Sequence, residues 1–203
     1  MSELRQINLQ DMIEEIGEDR TKSILSDFSC DQNLDVQEFI QRKAVEFSKR
    51  GFAKTTLVFW VSDNEDEKCL VGYFALSNKK ITVKKKEVSK NTYKRIRLFS
   101  DDKEKDSCTI PAILIGQLSK NFKDGNDTLI SDAELLQMAI DKVKQVQYMI
   151  GGKFVYLECE DKERLLEFYT TNGFVSFGKR MLDKDEININ GKYLIQMLRY
   201  LHS

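Results

Sequence analysis

The pair Ser131 and Glu134 stands just before an apolar helical stretch and could prepare a site for a phosphate group. The spacing S-x-x-E is that of a capping box, in which two side chains satisfy the first N–H groups of a helix. A helix start also carries unpaired N–H groups and a partial positive charge, which attract anions. The preceding loop supplies Gly125 for backbone freedom and Lys123 as a counter-charge. An ordinary capped helix that binds nothing is the alternative interpretation.

A second candidate group is the hydroxyl of Tyr169, in the segment FYTTNGF at residues 168–174. As structure, this segment predicts a helix that ends at Gly173, with Phe168 and Phe174 packed into the core. That account explains Tyr169 less well, because neighbouring residues on a helix face different sides. Tyr169 is therefore a candidate for chemistry.

The histidine and cysteine content argues against several kinds of site. The single histidine, His202, leaves little material for a Ser-His-Asp or Cys-His nucleophilic mechanism. The cysteines are widely spaced and form no CxxC pair, which argues against a zinc site or a disulfide framework. We therefore expect no metal, and chemistry that depends on carboxylates, tyrosines, lysines, backbone groups or a bound cofactor.

A basic segment in the middle of the chain is a candidate surface for a polyanion such as RNA. Between Lys79 and Arg97 its only acidic residue is Glu87, whereas the net charge of the whole chain is −1, so any attraction to nucleic acid must be local. A solvated, lysine-rich insertion at residues 79–107 is the alternative. The basic residues are Lys79, Lys80, Lys84, Lys85, Lys86, Lys90, Lys94, Arg95 and Arg97.

The first half of the chain predicts helices followed by a hairpin. Residues 1–30 are interpreted as one or two short helices. A longer helix is predicted over residues 36–50, where Asp35 and Glu38 form a capping pattern and apolar residues recur at helical spacing. Residues 55–62 and 69–76 are rich in β-branched and aromatic residues and predict two strands of a hairpin.

The second half alternates strands and helices. Residues 110–118 form a near-continuous apolar run, typical of a strand buried on both faces. A helix is predicted over residues 132–148, a strand over 153–159, a short helix over 162–172, and strands over 174–178 and 192–201. This order predicts an α/β fold with a mixed sheet whose central pairing is parallel.

Length and composition predict one domain over residues 1–203. The chain is 41% hydrophobic, which is enough for a core at this length. Its first residues have no apolar signal core, and no stretch approaches the roughly 18 apolar residues of a membrane span. We expect a cytoplasmic protein with no membrane partner, while leaving open whether it is a homodimer.

Three segments, in order, resemble motifs of the GNAT N-acetyltransferases. The FYxxxGF pattern at residues 168–174 is similar to the C-terminal motif of the family. Residues 115–121, IGQLSKN, resemble the strand whose backbone binds the pantetheine arm of the cofactor. Residues 131–136, SDAELL, resemble the end of the pyrophosphate loop and the start of the next helix. The loop itself is divergent, because the glycine-rich turn of the family is reduced here to Gly125.

The resemblance implies a splayed, mixed central sheet flanked by helices on both faces, and acetyl-CoA as the acetyl donor. Residues of the strand end would pair with the pantetheine amides, and residues of the loop and helix start would receive the pyrophosphate. Lys162 stands where the family often has an asparagine that touches the cofactor. The implied cofactor-binding residues are Gln117, Leu118, Ser119, Lys120, Lys123, Gly125, Ser131, Asp132, Ala133 and Lys162.

The resemblance also implies direct transfer of the acetyl group to an amine. Tyr169 would protonate the departing thiolate as general acid, which is feasible because phenol and thiol pKa values differ by only about 1.5. The amine must lose a proton before it attacks. Glu158, Glu160 or an ordered water is the candidate base, and Glu158 is our prediction.

Two other functions stay open at this point. The divergent loop is compatible with a catalytically inactive GNAT-like module that binds protein or RNA. The segment GYFAL at residues 72–76, followed by the basic insertion, resembles GNAT toxins that acetylate aminoacyl-tRNA. The acceptor could thus be a small molecule or a macromolecule.

Overall fold

Strands and helices form largely where the apolar patterns of the sequence predict them. The structure, a computed structural model, describes residues 2–100, 104–183, 189 and 191–201. It is a mixed α/β structure with a seven-stranded sheet. The strands are β1 (Glu3–Asn8), β2 (Lys54–Val61), β3 (Lys68–Lys84), β4 (Ser107–Lys120), β5 (Phe154–Cys159), β6 (Val175–Met181) and β7 (Tyr193–Tyr200).

The first four helices lie between β1 and β2, and the other three lie between later strands. The helices are α1 (Leu9–Ile16), α2 (Glu18–Ser26), α3 (Leu34–Glu38), α4 (Ala44–Lys49), α5 (Lys90–Arg97), α6 (Asp132–Ile150) and α7 (Glu163–Thr171). Contacts divide the chain into two units: Met1–Ser77 with Gly116–Asp141, and Asn78–Ile115 with Lys142–Ser203. Strands β3 and β4 and helix α6 contribute residues to both.

The first unit contains an antiparallel sheet in which β2 lies between β1 and β3. The register of β1 on β2 runs from Glu3 opposite Val61 to Asn8 opposite Thr56. Residues 1–30 were predicted to be helical, and this is wrong for β1. That segment is a strand because it pairs with the edge of β2, and the local sequence pattern gives no sign of such a distant pairing. Helices α1 and α2 confirm the rest of the prediction, and their apolar faces join a core around the fully buried Tyr73.

The helix predicted over residues 36–50 starts earlier and contains an irregular turn. It begins at Leu34, and its cap is Asn33, whose side-chain oxygen accepts hydrogen bonds from the N–H groups of Asp35 and Val36. The prediction that Asp35 caps this helix is therefore wrong, because Asn33 already fills that position. A π-helical turn over Phe39–Lys43 separates α3 from α4. Such turns are rare and occur frequently at functional sites.

The second unit contains the parallel pairing expected from the strand–helix–strand pattern. Strand β4 pairs with β5 in parallel, with Ile113 opposite Val155 and Ile115 opposite Leu157. Strand β7 is antiparallel to both β5 and β6, so the order within this unit is β3-β4-β5-β7-β6. The core of this unit includes Phe177, which is 1% exposed.

The basic segment forms regular structure rather than an irregular insertion. Strand β3 was predicted to end at residue 76 but continues to Lys84, because its later residues still pair with β4, as the contact between Thr82 and Thr109 shows. Helix α5 then buries Tyr93 and Ile96 in the core. The basic side chains of this segment are exposed.

The pairing of β4 with β5 ends before β4 does. The parallel register reaches Ile115, whereas β4 continues to Lys120. The backbone groups of residues 116–120 therefore lie beyond the parallel pairs given by the described residues. This is the segment that the resemblance assigns to the pantetheine arm.

Two kinds of feature are absent from the described part of the chain. None of the helices there is both long enough and apolar enough to cross a membrane. No group of three or more histidine, cysteine, aspartate and glutamate side chains there is arranged to hold a metal ion.

Candidate active site

The loop after β4 is held in place by the buried side chain of Asn121. Its amide nitrogen donates to the carbonyl of Leu70 (2.8 Å), and its oxygen accepts from the N–H groups of Ser29 (2.9 Å) and Lys123 (3.1 Å). Asn121 is 2% exposed, so these bonds satisfy a polar group that burial would otherwise destabilise. The sequence analysis gave Asn121 no role, because its partners are distant in the chain.

Beyond Asn121 the loop makes a tight, left-handed turn. Asp124 has φ 53° and Gly125 has φ 77°. Residues 123–129 otherwise form a short 3₁₀ helix that leads to the start of α6. Gly125 thus occupies a position that requires a positive φ, and this supports its selection from the sequence as a turn residue.

The capping box predicted for α6 is confirmed. The hydroxyl oxygen of Ser131 accepts from the N–H of Glu134 (3.1 Å), and the Glu134 carboxylate accepts from the N–H of Ser131 (2.9 Å). The first helical bond runs from the N–H of Leu135 to the carbonyl of Ser131 (3.1 Å). The N–H groups of Asp132 and Ala133 precede it and are placed to receive an anion.

The same capping box places a negative charge at the start of α6. Hydrogen bonds from the hydroxyl and the backbone N–H of Ser131 hold the pKa of Glu134 below its usual value. The carboxylate is therefore ionised at neutral pH and opposes a phosphate at the neighbouring N–H groups. This repulsion would reduce the affinity for a phosphate, but the N–H donors of Asp132 and Ala133 remain in place.

The two lysines assigned to the cofactor already have carboxylate partners. Lys120 lies 3.3 Å from Asp132, and Lys123 lies 2.6 Å from Asp27. The hydrogen bond to Asp27 raises the pKa of Lys123. Ion pairs between exposed side chains contribute little to stability, so Lys123, whose side chain is 40% exposed, could readily exchange its partner for a phosphate, whereas the Lys120 side chain is only 15% exposed.

The residues of this first unit fit acetyl-CoA. The end of β4 offers backbone groups beyond the β5 ladder, which suit the amides of the pantetheine arm. The N–H groups at the start of α6 and the two lysines suit the diphosphate. The carboxylates of Glu134 and Asp132, in the first turn of α6, oppose it.

In the second unit, Glu158 lies in a network of hydrogen bonds on the sheet. One of its carboxylate oxygens accepts from Arg180 (2.7 Å) and the other from the side-chain amide of Gln196 (2.8 Å). The strand registers cause this meeting, because Glu158 on β5 is directly opposite Gln196 on β7. The Glu158 side chain is 15% exposed. The sequence suggested Glu158 but not its partners.

Tyr169 lies half-buried near the end of α7. Its ring centre is 5.2 Å from that of Phe168 and 5.8 Å from that of Phe174, both at steep angles typical of aromatic pairs. The helix ends as predicted, since Gly173 has φ 81° and the N–H of Phe174 donates to the Tyr169 carbonyl (3.0 Å). These contacts fix the position of the ring.

Lys162 stands at the position immediately before α7. Its ammonium group lies 2.5 Å from the carboxylate of Glu160, and the Lys162 side chain is exposed. Nearby, burial raises the pKa of Cys159 to about 11, so this thiol is protonated at neutral pH. A buried, protonated thiol on a strand is a structural residue rather than a nucleophile.

The predicted site residues therefore fall into two groups, one in each unit. The first unit holds every residue assigned to the pantetheine and the pyrophosphate, and the second holds Tyr169, Glu158 and Lys162.

Replacing Arg180 with methionine should destabilise the protein, because the mostly buried Glu158 carboxyl group would lose its cationic partner and retain only the Gln196 amide. We expect the free energy of unfolding to fall by about 2 kcal/mol, between the values for exposed and fully buried pairs. Urea denaturation measures this. The control is Arg164→Met, on the exposed side of α7, which should change stability by less than about 0.5 kcal/mol. Equal losses in the two variants would contradict the importance of the Glu158 pair.

This chain resembles known proteins in structure and not in sequence. No protein-family profile matches the sequence, and a search of curated proteins gives no match either. Solved structures do match over nearly the whole chain. AtaT complexed with acetyl-methionyl-tRNAfMet has a TM-score of 0.61 at 16% identity, covering 95% of this chain and 94% of that one.

Two further structures agree with this. A tyrosine-to-phenylalanine mutant of KacT has a TM-score of 0.60 at 15% identity, with 95% of this chain and 93% of that one covered. AtaTR bound with acetyl-CoA has a TM-score of 0.56 at 15% identity, with 97% and 92% covered. AtaT and KacT are toxins with the GNAT fold. The chain described here therefore has the fold of the GNAT N-acetyltransferases.

Proposed function

We propose that this protein is an N-acetyltransferase that moves an acetyl group from acetyl-CoA directly to an amine. The observation that carries the proposal is the likeness of nearly the whole chain to the fold of AtaT, which has been solved with acetyl-CoA. The end of β4 and the start of α6 support it, because they offer donors of the kind that acetyl-CoA needs.

Each part of the site would bind a different part of the cofactor. The backbone at Gln117, Leu118, Ser119 and Lys120 would hold the pantetheine amides. The turn at Gly125 and the donors of Lys123, Ser131, Asp132 and Ala133 would hold the diphosphate, and the family resemblance assigns Lys162 to the cofactor as well. Acetyl-CoA itself supplies an activated thioester.

Two side chains of the second unit would move protons. The hydroxyl of Tyr169 would give its proton to the departing sulfur, and the aromatic contacts of the ring support such a fixed role. Glu158 would accept the proton that the amine loses. The oxygen that accepts from Gln196 is the more suitable one, because a neutral amide is displaced more easily than the Arg180 guanidinium.

Binding of acetyl-CoA is the first test of this function. Acetyl-CoA at 100 times its dissociation constant should stabilise the fold by about 2.7 kcal/mol, which raises the melting temperature by several degrees. The control is Glu134→Gln, which keeps most of the cap but removes the opposing charge and should tighten binding. Absence of any shift in both proteins would contradict the acetyltransferase proposal.

A second candidate function is a GNAT-like module that binds a macromolecule without catalysis. The observation that favours it is the ionised Glu134 carboxylate at the start of α6, where the cofactor phosphates are expected. A chain that neither binds acetyl-CoA nor acetylates any amine, yet still binds RNA or protein, would fit this second candidate.

Replacing Tyr169 with phenylalanine should slow acetyl transfer by roughly 10²- to 10⁴-fold, the contribution expected of a general acid. The ring contacts are kept, so the affinity for acetyl-CoA should change little. Release of free CoA follows turnover, and calorimetry gives the affinity. Tyr148→Phe is the matched control, since Tyr148 is 93% exposed. Unchanged turnover in Tyr169→Phe would remove Tyr169 from the mechanism.

We propose that the amine acceptor is carried on RNA, as in an aminoacyl-tRNA. The complex of AtaT with acetyl-methionyl-tRNA and the basic segment of this chain both support an RNA-bound acceptor. Helix α5 buries Tyr93 and Ile96 and leaves its lysines and arginines exposed, so its charges face the solvent. Among the described residues of the segment, only Lys84 forms an ion pair, a long one of 4.0 Å with Glu87. An aminoacyl-tRNA acceptor would place the protein in the cytoplasm.

Neutralising Lys90 and Lys94 to glutamine should weaken tRNA binding and reduce its salt dependence. If each lysine contacts one phosphate, the slope of log affinity against log salt should fall by about two. Filter binding at several salt concentrations measures the slope. The matched control neutralises Lys54 and Lys68, which are equally exposed in the first unit. A similar loss in both double variants would mean that the basic segment is not the RNA surface.

A further inference from the structure

A carboxylate and an amide that are distant in the sequence meet in the first unit. The side-chain nitrogen of Gln117, near the end of β4, donates to a carboxylate oxygen of Asp35, in the first turn of α3 (3.1 Å). Both side chains are half-buried. No role follows for Asp35 from the functions described above, and Gln117 was assigned only through its backbone.

The pair has more hydrogen-bond acceptors than donors. The side-chain oxygen of Gln117 is buried and has no hydrogen-bond partner among the described residues. Rotating the amide would not help, because its oxygen would then face the Asp35 carboxylate. Within residues 2–100, 104–183, 189 and 191–201, Asp35 also forms no ion pair with a lysine, arginine or histidine. A buried acceptor and a partly buried charge without a cation are both costly unless a further group supplies donors.

The backbone around Asp35 is fixed, so its carboxylate is held in place. Asn33 caps the helix and binds the N–H groups of Asp35 and Val36. The hydroxyl of the buried Tyr73 donates to the carbonyl of Val36 (2.6 Å). Burial, and then the charge of Asp35, raises the pKa of Tyr73 well above its usual value, so this hydroxyl keeps its proton.

The π-helical turn that follows is an independent sign of function in the same helix. It begins at Phe39, one residue after α3 ends, and it interrupts an otherwise regular helical segment. Such turns cost stability and are found frequently at functional sites. The position of Asp35 beside this turn agrees with a binding role.

We propose that Asp35 and Gln117 bind the primary ammonium group of the acceptor substrate. An ammonium group has a positive charge for the carboxylate and enough N–H donors for both oxygens. An acetylated amine has lost its charge and all but one of its donors, so the same pair would bind the product weakly. The identification of this ligand as the acceptor rests on the proposed acetyltransferase function, whereas the binding of an amine does not.

Glycinamide, which has a free amine, is a direct probe, and N-acetylglycinamide is its neutral counterpart. Titration of the full chain, followed by NMR of its backbone amides, gives both affinities without acetyl-CoA. We expect saturable binding of glycinamide, and binding of N-acetylglycinamide that is at least about tenfold weaker. Asp35→Asn and Gln117→Leu should each weaken glycinamide binding about tenfold. Asp31→Asn, an exposed position in the same segment, should leave it unchanged.

Several results would overturn the proposal: no saturable binding of glycinamide, equal binding of the acetylated probe, or unchanged affinity in Asp35→Asn. Thermal unfolding shows which variants fold, and Gln117→Leu decides the matter if Asp35→Asn does not fold. Acetyl-CoA binding is measured separately. Glycinamide binding without acetyl-CoA binding would keep the amine site and reject the acetyltransferase, and the reverse result would reject only the amine site.

Discussion

The geometry of the candidate cofactor site depends on one buried amide, that of Asn121. It joins the end of β4 to the backbone of β3 at Leu70 and to Ser29, and it fixes the start of the loop at Lys123. Because the group is 2% exposed, losing any of these bonds would leave a buried polar atom unsatisfied. The loop that follows is therefore positioned by hydrogen bonds rather than by the glycine-rich turn typical of the family.

Charge, rather than shape, distinguishes this site from an ordinary phosphate site. The N–H donors at the start of α6 are in place, but the carboxylates of Glu134 and Asp132 lie beside them. Lys120 and Lys123 already form ion pairs with carboxylates. Each of these ion pairs is exposed on at least one side, although the Lys120 side chain itself is only 15% exposed. An anion bound here would have to separate charges that are already balanced.

The carboxylates of the two units are held by different means. Glu158 forms an ion pair with Arg180 and accepts a hydrogen bond from the Gln196 amide, so the protein itself supplies partners for both of its oxygens. Among the described residues, Asp35 has only the Gln117 amide as a side-chain partner, next to a buried oxygen that has none. Since the free energy of a buried polar group depends on its partners, the first arrangement stabilises the fold, and the second is the one that suits the amine binding we propose.

Features that depend on near neighbours in the chain could be predicted from the sequence. The apolar run of β4, the Ser131–Glu134 capping box and the end of α7 at Gly173 were all predicted, because each is encoded within a few residues. Strand β1, the extension of β3 to Lys84, and the pairs Asp35–Gln117 and Glu158–Arg180 became visible only in the folded chain. These depend on strand register and on contacts across many residues, and no local pattern carries that information.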